Sequence, residues 1–104
     1  MSQSNIDLSS VPGHARRAAK YDFFKVLQNG RIRYYDSYRP AKKPGRTAGA
    51  RPVVEVEAAD GKLIRTWHES YDSQGRVIRV HPKKPQNLGH IEIDPMTGKE
   101  IERW

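Results

Sequence analysis

Residues 53–81 decide the fold, and they read VVEVEAADGKLIRTWHESYDSQGRVIRVH. Three runs within this stretch are rich in β-branched and aromatic residues and alternate apolar with polar positions, which is typical of strands with one buried face. These runs are residues 53–58, 62–70 and 76–81. Glycine and small polar residues at Asp60-Gly61 and at 71–75 predict the turns between them. The spacing of runs and turns therefore predicts an antiparallel meander.

Residues on both sides of this stretch extend the predicted sheet. Asn29-Gly30 lies between YDFFKVLQ (21–28) and RIRYYDS (31–37). Asn-Gly between two such runs is a strong hairpin signal, because both turn residues must accept positive φ. A last hairpin is predicted over 90–104, with its turn at 94–98.

The N-terminal part predicts a lead followed by a short helix. Residues 1–11 are polar and unpatterned, as in a flexible lead. Ser9 or Ser10 can cap a helix over 14–20, HARRAAK. The remaining chain, 12–104, fits one domain. We therefore predict a mainly β, α+β fold: a twisted antiparallel sheet of about five to six strands in a meander, with one short N-terminal helix.

The charge of the chain points to a polyanionic partner. Lys and Arg number 19 against 12 Asp and Glu, which gives a net charge of +7. Positive charge is concentrated between residues 31 and 51, where the one acidic residue is Asp36. The basic residues of this stretch are Arg31, Arg33, Arg39, Lys42, Lys43, Arg46 and Arg51. Such a field attracts phosphate chains. We expect a monomer that binds RNA, with salt-sensitive affinity.

Several classes of function are excluded by composition. Without cysteine, the chain forms no disulfide, thiolate metal site or Cys nucleophile. The spacings of the four histidines match no ligand motif, the turn at 94–98 is too short for a calcium loop, and no phosphate-binding glycine loop is present. We therefore predict neither metal nor cofactor. No apolar run approaches the roughly 20 residues of a membrane span, so no membrane partner is expected.

Metal-free cleavage of RNA requires a base, an acid and a cation that stabilises the phosphorane. The catalytic candidates are His68, His81, Glu57, Glu69 and Arg79. Glu55, on the same predicted strand as Glu57, is a further carboxylate. The phosphate-binding candidates are Arg33, Lys42, Lys43, Arg46, Lys83 and Lys84. The histidines and glutamates among these can instead be solvated strand residues. His68 and Glu69 are consecutive in one strand, so a given cleft receives only one of them.

Residues 30–84, most distinctively TWHESYDSQGRVIRVHP at 66–82, resemble the C-terminal toxin modules of bacterial polymorphic toxins. Such modules are carried by Rhs-repeat or contact-dependent-inhibition proteins. The segment NLGHIEIDPMTGKEIER at 87–103 is similar to the end of the ribosome-cutting colicin nuclease domain. The resemblance implies a small twisted sheet, metal-independent RNA cleavage, a bound acidic immunity protein, and secretion on a larger carrier with action in the cytoplasm of a target bacterium.

The colicin family's catalytic residues match this chain only in part. Glu57 falls where that family has an aspartate, and Asp60 and Ile64 stand where its histidine and glutamate are. His68 or His81 would then replace the histidine from another strand. Barnase-like toxin ribonucleases, with a helix packed on an antiparallel sheet, are a related possibility.

The leading hypothesis is a toxin ribonuclease that cuts tRNA or rRNA and stays active in EDTA. One alternative is a non-catalytic nucleic-acid-binding module, which would use the same basic loops. Another is a toxin of different chemistry, either a DNase or an ADP-ribosyltransferase.

Overall fold

The computed structural model describes residues 7–98 and Ile101. Within this part of the chain, a 3-10 helix (Leu8–Ser10) and one α-helix, α1 (His14–Lys20), precede seven strands of a single sheet. The strands are β1 (Phe23–Val26), β2 (Arg31–Tyr35), β3 (Arg39–Pro40), β4 (Gly49–Glu57), β5 (Leu63–Tyr71), β6 (Val77–Lys84) and β7 (Ile91–Glu92). The predicted α+β class is confirmed. No helix in the described ranges has the length and apolar character needed to cross a membrane.

The strands follow one another in the order β1-β2-β4-β5-β6-β7, and every pairing is antiparallel. Short β3 pairs with β4 beyond the end of β2, through Arg39 opposite Ala50. This order is the meander expected from the regular spacing of runs and turns. The sheet has more strands than the five to six predicted, because the two-residue strand β3 lies in a stretch rich in proline and lysine that carries no alternation to detect.

The hairpin predicted at Asn29-Gly30 is confirmed, but its turn differs from the expected two-residue type. The N–H of Leu27 donates to the carbonyl of Arg31 at 2.8 Å, so the loop holds three residues. Gly30 has φ +83°, whereas Asn29 stays at negative φ. The Asn29 side chain instead accepts a hydrogen bond from the N–H of Arg31 at 3.1 Å. A three-residue loop needs one left-handed residue, which the glycine supplies.

Strand limits differ from the prediction in two places. β4 begins at Gly49, although the prolines, glycines and alanines of residues 38–52 (YRPAKKPGRTAGARP) predict a loop there, and β6 runs through Pro82 to Lys84. The ring of Tyr38 lies so close to Gly49 that a Cβ there would clash with it. This packing holds an extended chain where proline, glycine and alanine hide the strand pattern.

The two ends of the chain differ from the prediction or lie partly outside the described residues. Part of the predicted flexible lead is ordered, because Leu8–Ser10 is helical and Val11 is only 5% exposed. The folded domain therefore begins before Pro12. Residues 1–6 lie outside the described range. So does most of the second strand of the predicted last hairpin, whose first strand, β7, pairs with β6.

Two small cores lie on opposite faces of the sheet. The first lies under α1 and contains Tyr34; the second contains the neighbouring residue Tyr35 together with Trp67. Because consecutive strand residues point to opposite faces, we call these the helix face and the cleft face. The first core comprises Val11, Ile32, Tyr34, Val56 and Ala58, and the second comprises Tyr35, Val53, Trp67, Val80 and Ile93.

Each core covers one half of its face and leaves the other half open. His14 attaches α1 to the first core, with its Nδ1 2.7 Å from the hydroxyl of buried Tyr34. Ile91 and Ile101 pack against the second core. The helix face is therefore open along β5 and β6, and the cleft face is open at β1, where Phe23 and Lys25 are exposed, and at the start of β4, where Arg51 is half-buried.

Candidate functional site

The open half of the cleft face forms a cleft of about 390 Å³. Its lining combines aromatic rings with charged groups, as expected of a ligand site. The rings belong to Phe23, Tyr35, Tyr38 and Tyr71, and the charged groups to Lys25, Arg33, Arg51 and Glu69.

Strand register brings these residues together. Cross-strand partners share a face of the sheet. Lys25 lies opposite Arg33, and Arg51 lies opposite Glu69. Phe23 lies opposite Tyr35, and the two rings stack at 4.6 Å between centroids. One cleft is thus assembled from four successive strands of the sheet.

Glu69 is a buried carboxylate held at both oxygens. It is 3% exposed. The indole N–H of Trp67 donates to Oε2 at 2.9 Å, and the hydroxyl of Tyr71 donates to Oε1 at 2.6 Å. The three residues alternate along β5 and so share the cleft face. Each carboxylate oxygen retains a further lone pair, so Glu69 can still accept a proton or a hydrogen bond from a ligand.

Tyr71 stays protonated beside Glu69. Burial raises the pKa of its hydroxyl far above the usual value, and the charge and hydrogen bond of Glu69 raise it further. Burial and the charge of Glu69 likewise raise the pKa of Tyr35. Both hydroxyls are therefore neutral donors at physiological pH, and Tyr71 holds the Glu69 carboxylate in one orientation.

Arg51 is a cation held among aromatic rings. Among the described residues, its Nε is the buried side-chain polar atom that has no hydrogen-bond partner. Its guanidinium carbon lies 5.1, 5.5 and 5.6 Å from the ring centroids of Phe23, Tyr38 and Tyr71. The rings stabilise the charge but accept no conventional hydrogen bond. An unpaired buried donor costs about 1–3 kcal/mol, and more when charged, so this site favours an anion.

A second carboxylate, Glu55, has a structural arrangement. It is fully buried and accepts hydrogen bonds from Arg33 at 2.8 Å, Arg31 at 3.1 Å and Arg65 at 3.3 Å. Burial acts to raise the pKa of Glu55, but the bond from Arg33 and the charge of Arg65 outweigh it and lower the pKa. Glu55 is thus an anion at physiological pH and holds three arginines, one of which lines the cleft.

The predicted catalytic residues fall on different faces. His68 and His81 are cross-strand partners on the helix face, so the structure brings the two histidines together. Glu69, the neighbour of His68, points into the cleft on the other side. Glu57 lies at the far end of β4, where its Oε1 is 3.8 Å from the Nε of Arg31. The structure does not bring either carboxylate to the histidines.

The predicted phosphate-binding residues are also dispersed. Arg33 lines the cleft. Lys42 and Lys43 are exposed between β3 and β4, and Lys83 and Lys84 are exposed at the end of β6. Two of the predicted cations, Arg46 and the catalytic candidate Arg79, share the carboxylate of Glu92, at 3.2 and 2.7 Å.

Sequence reasoning missed Lys25, Arg51, Tyr38 and Tyr71. The alternation of β5 already groups Tyr71 with Trp67 and Glu69, so that signal was present. Arg51 had no comparable signal, because its strand begins inside a stretch that reads as a loop. Lys25 was one of many surface lysines until the register placed it opposite Arg33.

Among the residues that the structure describes, no three His, Asp or Glu side chains come together in a group able to hold a metal ion. Compared with known proteins, the chain matches no family model, no curated protein and no solved structure at significant similarity. The case for its function therefore depends on the cleft itself.

Proposed function

We propose that the protein is a metal-independent endoribonuclease whose active site is the cleft around Glu69 and Arg51. The observation that carries the proposal is the buried, unpaired guanidinium nitrogen of Arg51 beside a buried carboxylate in an open cleft. Phosphodiester cleavage needs that combination: an anion site for the phosphate and a fixed proton acceptor next to it.

The composition of the cleft favours RNA over a small anion. Among the described residues, Lys25, Arg33 and Arg51 line it together with a single carboxylate, Glu69. The exposed rings of Phe23 and Tyr38 are 41% and 40% accessible at its rim. Bases stack on such rings with about 1–3 kcal/mol each, independently of sequence. Cations for the backbone and rings for the bases together fit a single-stranded segment.

In the proposed reaction the 2′-oxygen of the substrate attacks the adjacent phosphorus, and the bond from phosphorus to the 5′-oxygen breaks. Glu69 takes the proton of the 2′-hydroxyl, while Arg33 and Arg51 stabilise the charge of the phosphorane. The leaving oxygen takes a proton from Lys25. Among the described lining cations, Lys25 is the one able to release a proton, because a guanidinium does not. The products are a 2′,3′-cyclic phosphate and a 5′-hydroxyl.

This assignment moves the chemistry from the histidines to the other face of β5. His68 and His81 have no carboxylate partner among the residues described. Glu69 was already a candidate from the sequence, and it now acts with Lys25, Arg33 and Arg51. Glu57 lies outside the lining of the cleft, so it has no part in the proposed reaction.

The test compares Glu69→Gln with Glu57→Gln on total RNA in EDTA. The amide that Glu69→Gln introduces cannot take a proton, so we expect cleavage to fall by about 10²- to 10⁴-fold, the usual contribution of a general base. Glu57→Gln, which removes an equal charge from the same sheet, should cleave normally. Full activity of Glu69→Gln, or loss of wild-type activity in EDTA, contradicts the proposal. RNA binding without new fragments would indicate a non-catalytic module.

The biological setting proposed is that of a toxin module. Its support is the resemblance of residues 30–84 to polymorphic-toxin modules and the net charge of +7, which suits both tRNA or rRNA and an acidic immunity protein. Expression inside bacteria should fragment tRNA or rRNA and stop growth, and the Glu69→Gln variant should do neither. Growth arrest with intact RNA would point instead to another chemistry.

A further inference from the structure

The open half of the helix face carries a cluster of basic groups that the proposed reaction does not use. His68 on β5 and His81 on β6 are direct cross-strand partners. Lys83 on β6 and Arg39 on β3 act on His68 electrostatically, and the side chains of all but His81 are exposed. Such partners have Cβ atoms about 5 Å apart, so both rings can reach one anionic group.

His81 has a defined tautomer that leaves one nitrogen for a ligand. Its Nε2 lies 2.8 Å from Oδ1 of Asn87, and the same oxygen accepts a hydrogen bond from the N–H of Gly89 at 3.0 Å. The backbone donor fixes the amide orientation, so the Nε2 of His81 carries a proton. Its Nδ1 is then a lone pair in the neutral ring and becomes a second donor on protonation. The ring of His90 packs against His81 at 4.7 Å between centroids.

Among the described residues, no acidic side chain faces His68. The groups that face it are His81 and Lys83 from β6, Arg39 from β3, Pro52 from β4, and Thr66 and Ser70 along its own strand. Burial lowers the pKa of His68, and the charges of Lys83, His81 and Arg39 lower it further. The carboxylate on the neighbouring part of this face, Glu92, is already shared by Arg79 and Arg46.

We propose that His68, His81, Lys83 and Arg39 form a second phosphate-binding surface, on the side of the sheet opposite the cleft, that contacts the backbone of a long RNA substrate. The identity of the polyanion as RNA rests on the proposed function; the surface itself does not depend on Glu69. A phosphate supplies the negative charge that this cluster lacks, and the two imidazoles and the lysine supply donors to it.

The surface should bind more tightly as the pH falls. An anion favours the protonated imidazole, so binding takes up a proton and affinity rises as the pH falls toward the lowered pKa of His68. One proton taken up corresponds to at most about tenfold in affinity per pH unit. The pH dependence therefore distinguishes this surface from the cleft, whose lining contains no histidine among the described residues.

The test uses the Glu69→Gln protein, which leaves RNA intact, and a labelled mixed-sequence single-stranded RNA. Affinity is measured at about pH 5.5 and about pH 8, with and without His68→Asn and His81→Asn. We expect about tenfold tighter binding at the lower pH, and loss of that difference in the double variant. Lys83→Gln should reduce the slope of log affinity against log salt by about 0.7, and Lys62→Gln, an exposed lysine at a turn away from the surface, should not.

Cleavage by proteins with Glu69 intact separates the two proposals. If the histidine variants bind long RNA less tightly yet cleave a short oligonucleotide at the normal rate, the second surface is supported. Binding that is independent of pH and of both histidines overturns it, whether or not the protein cleaves RNA. Loss of short-substrate cleavage in folded histidine variants also overturns it, because the histidines would then belong to the reaction. If anionic lipid vesicles bind with the same affinity and the same pH dependence as RNA, RNA is not the specific occupant of this surface.

Discussion

The two sides of β5 differ in how their polar groups are satisfied. On the cleft face, Glu69 is buried and held by Trp67 and Tyr71, and it lies opposite an arginine with an unpaired donor. On the helix face, His68 is exposed among cations, and no carboxylate faces it among the residues described. A fixed carboxylate beside an unsatisfied cation suits proton transfer to or from a bound phosphate. Exposed imidazoles among cations suit reversible binding of a polyanion.

The two faces also differ in whether a buried carboxylate holds their cations. The arginines near the cleft are not held by solvent alone, because buried Glu55 accepts hydrogen bonds from Arg31, Arg33 and Arg65. The cations of the helix face have no such buried partner among those described. We therefore expect substitutions on the cleft face to have the larger effects.

The largest stability effect is expected from Glu55→Gln. Removing the buried charge leaves three arginines without their anion, and breaking such a pair costs about 3–5 kcal/mol. Chemical denaturation followed by tryptophan fluorescence measures the loss. Glu57→Gln is the matched control, since the Glu57–Arg31 pair is exposed and its loss should cost less than about 1 kcal/mol. Equal effects of the two variants would break the distinction between buried and exposed pairs.

The same carboxylate predicts acid sensitivity. Because the pKa of Glu55 is lowered in the folded protein, its contribution is fully present above the unfolded value of 4.5. It is lost as the pH falls below that value toward the folded pKa. Stability of the wild type should therefore decline below about pH 4.5, and Glu55→Gln should decline less. Parallel pH profiles for the two proteins would show that Glu55 is not the group responsible.

An intermediate effect is expected from Arg51→Gln. The variant keeps a polar side chain but loses the charged donor for the phosphate, and a charge-assisted hydrogen bond contributes about 1.5–3 kcal/mol. Cleavage should fall by roughly 10- to 150-fold, because the phosphorane loses one of its two stabilising guanidinium groups. Stability should change little or rise, because an unsatisfied buried donor disappears. Normal cleavage by this variant would remove Arg51 from the site.

The smallest of these effects is expected from Tyr71→Phe. The ring stays beside Arg51, but Glu69 loses one of its two donors, so the variant tests orientation alone. A hydrogen bond to a charged carboxylate is worth about 1.5–3 kcal/mol, but Trp67 still holds Glu69, so only part of that loss should reach the reaction and we expect a decrease of roughly 2- to 10-fold in cleavage rate. Single-turnover rates at saturating RNA measure it. A loss as large as that of Glu69→Gln would make Tyr71 a participant in proton transfer rather than a positioning residue.

Much of the fold was predictable from the sequence, because alternation and turn residues are local signals. The runs 53–58, 62–70 and 76–81 each became the core of a strand, and the helix at 14–20 was found at its observed limits. Alternation also placed His68 and Glu69 on opposite faces.

The site was less predictable, because it depends on which half of each face stays open. Which half stays open depends on where α1, Ile91 and Ile101 pack, and the alternation within a strand carries no information about that packing. The early start of β4, which brings Arg51 opposite Glu69, is hidden by Pro52 and the glycine-rich stretch before it. The sequence therefore offered both histidines and carboxylates as catalytic candidates, whereas the structure places Glu69 opposite Arg51 and the histidines on the other face.

The most direct test of the division between the two faces is a single-turnover comparison on one short RNA oligonucleotide in EDTA. We predict that Glu69→Gln cleaves at least about 100-fold more slowly than wild type, and that the His68→Asn, His81→Asn double variant stays within about threefold. The reverse order, with a severe loss in a folded double variant and normal cleavage by Glu69→Gln, would place the chemistry on the helix face and contradict the account.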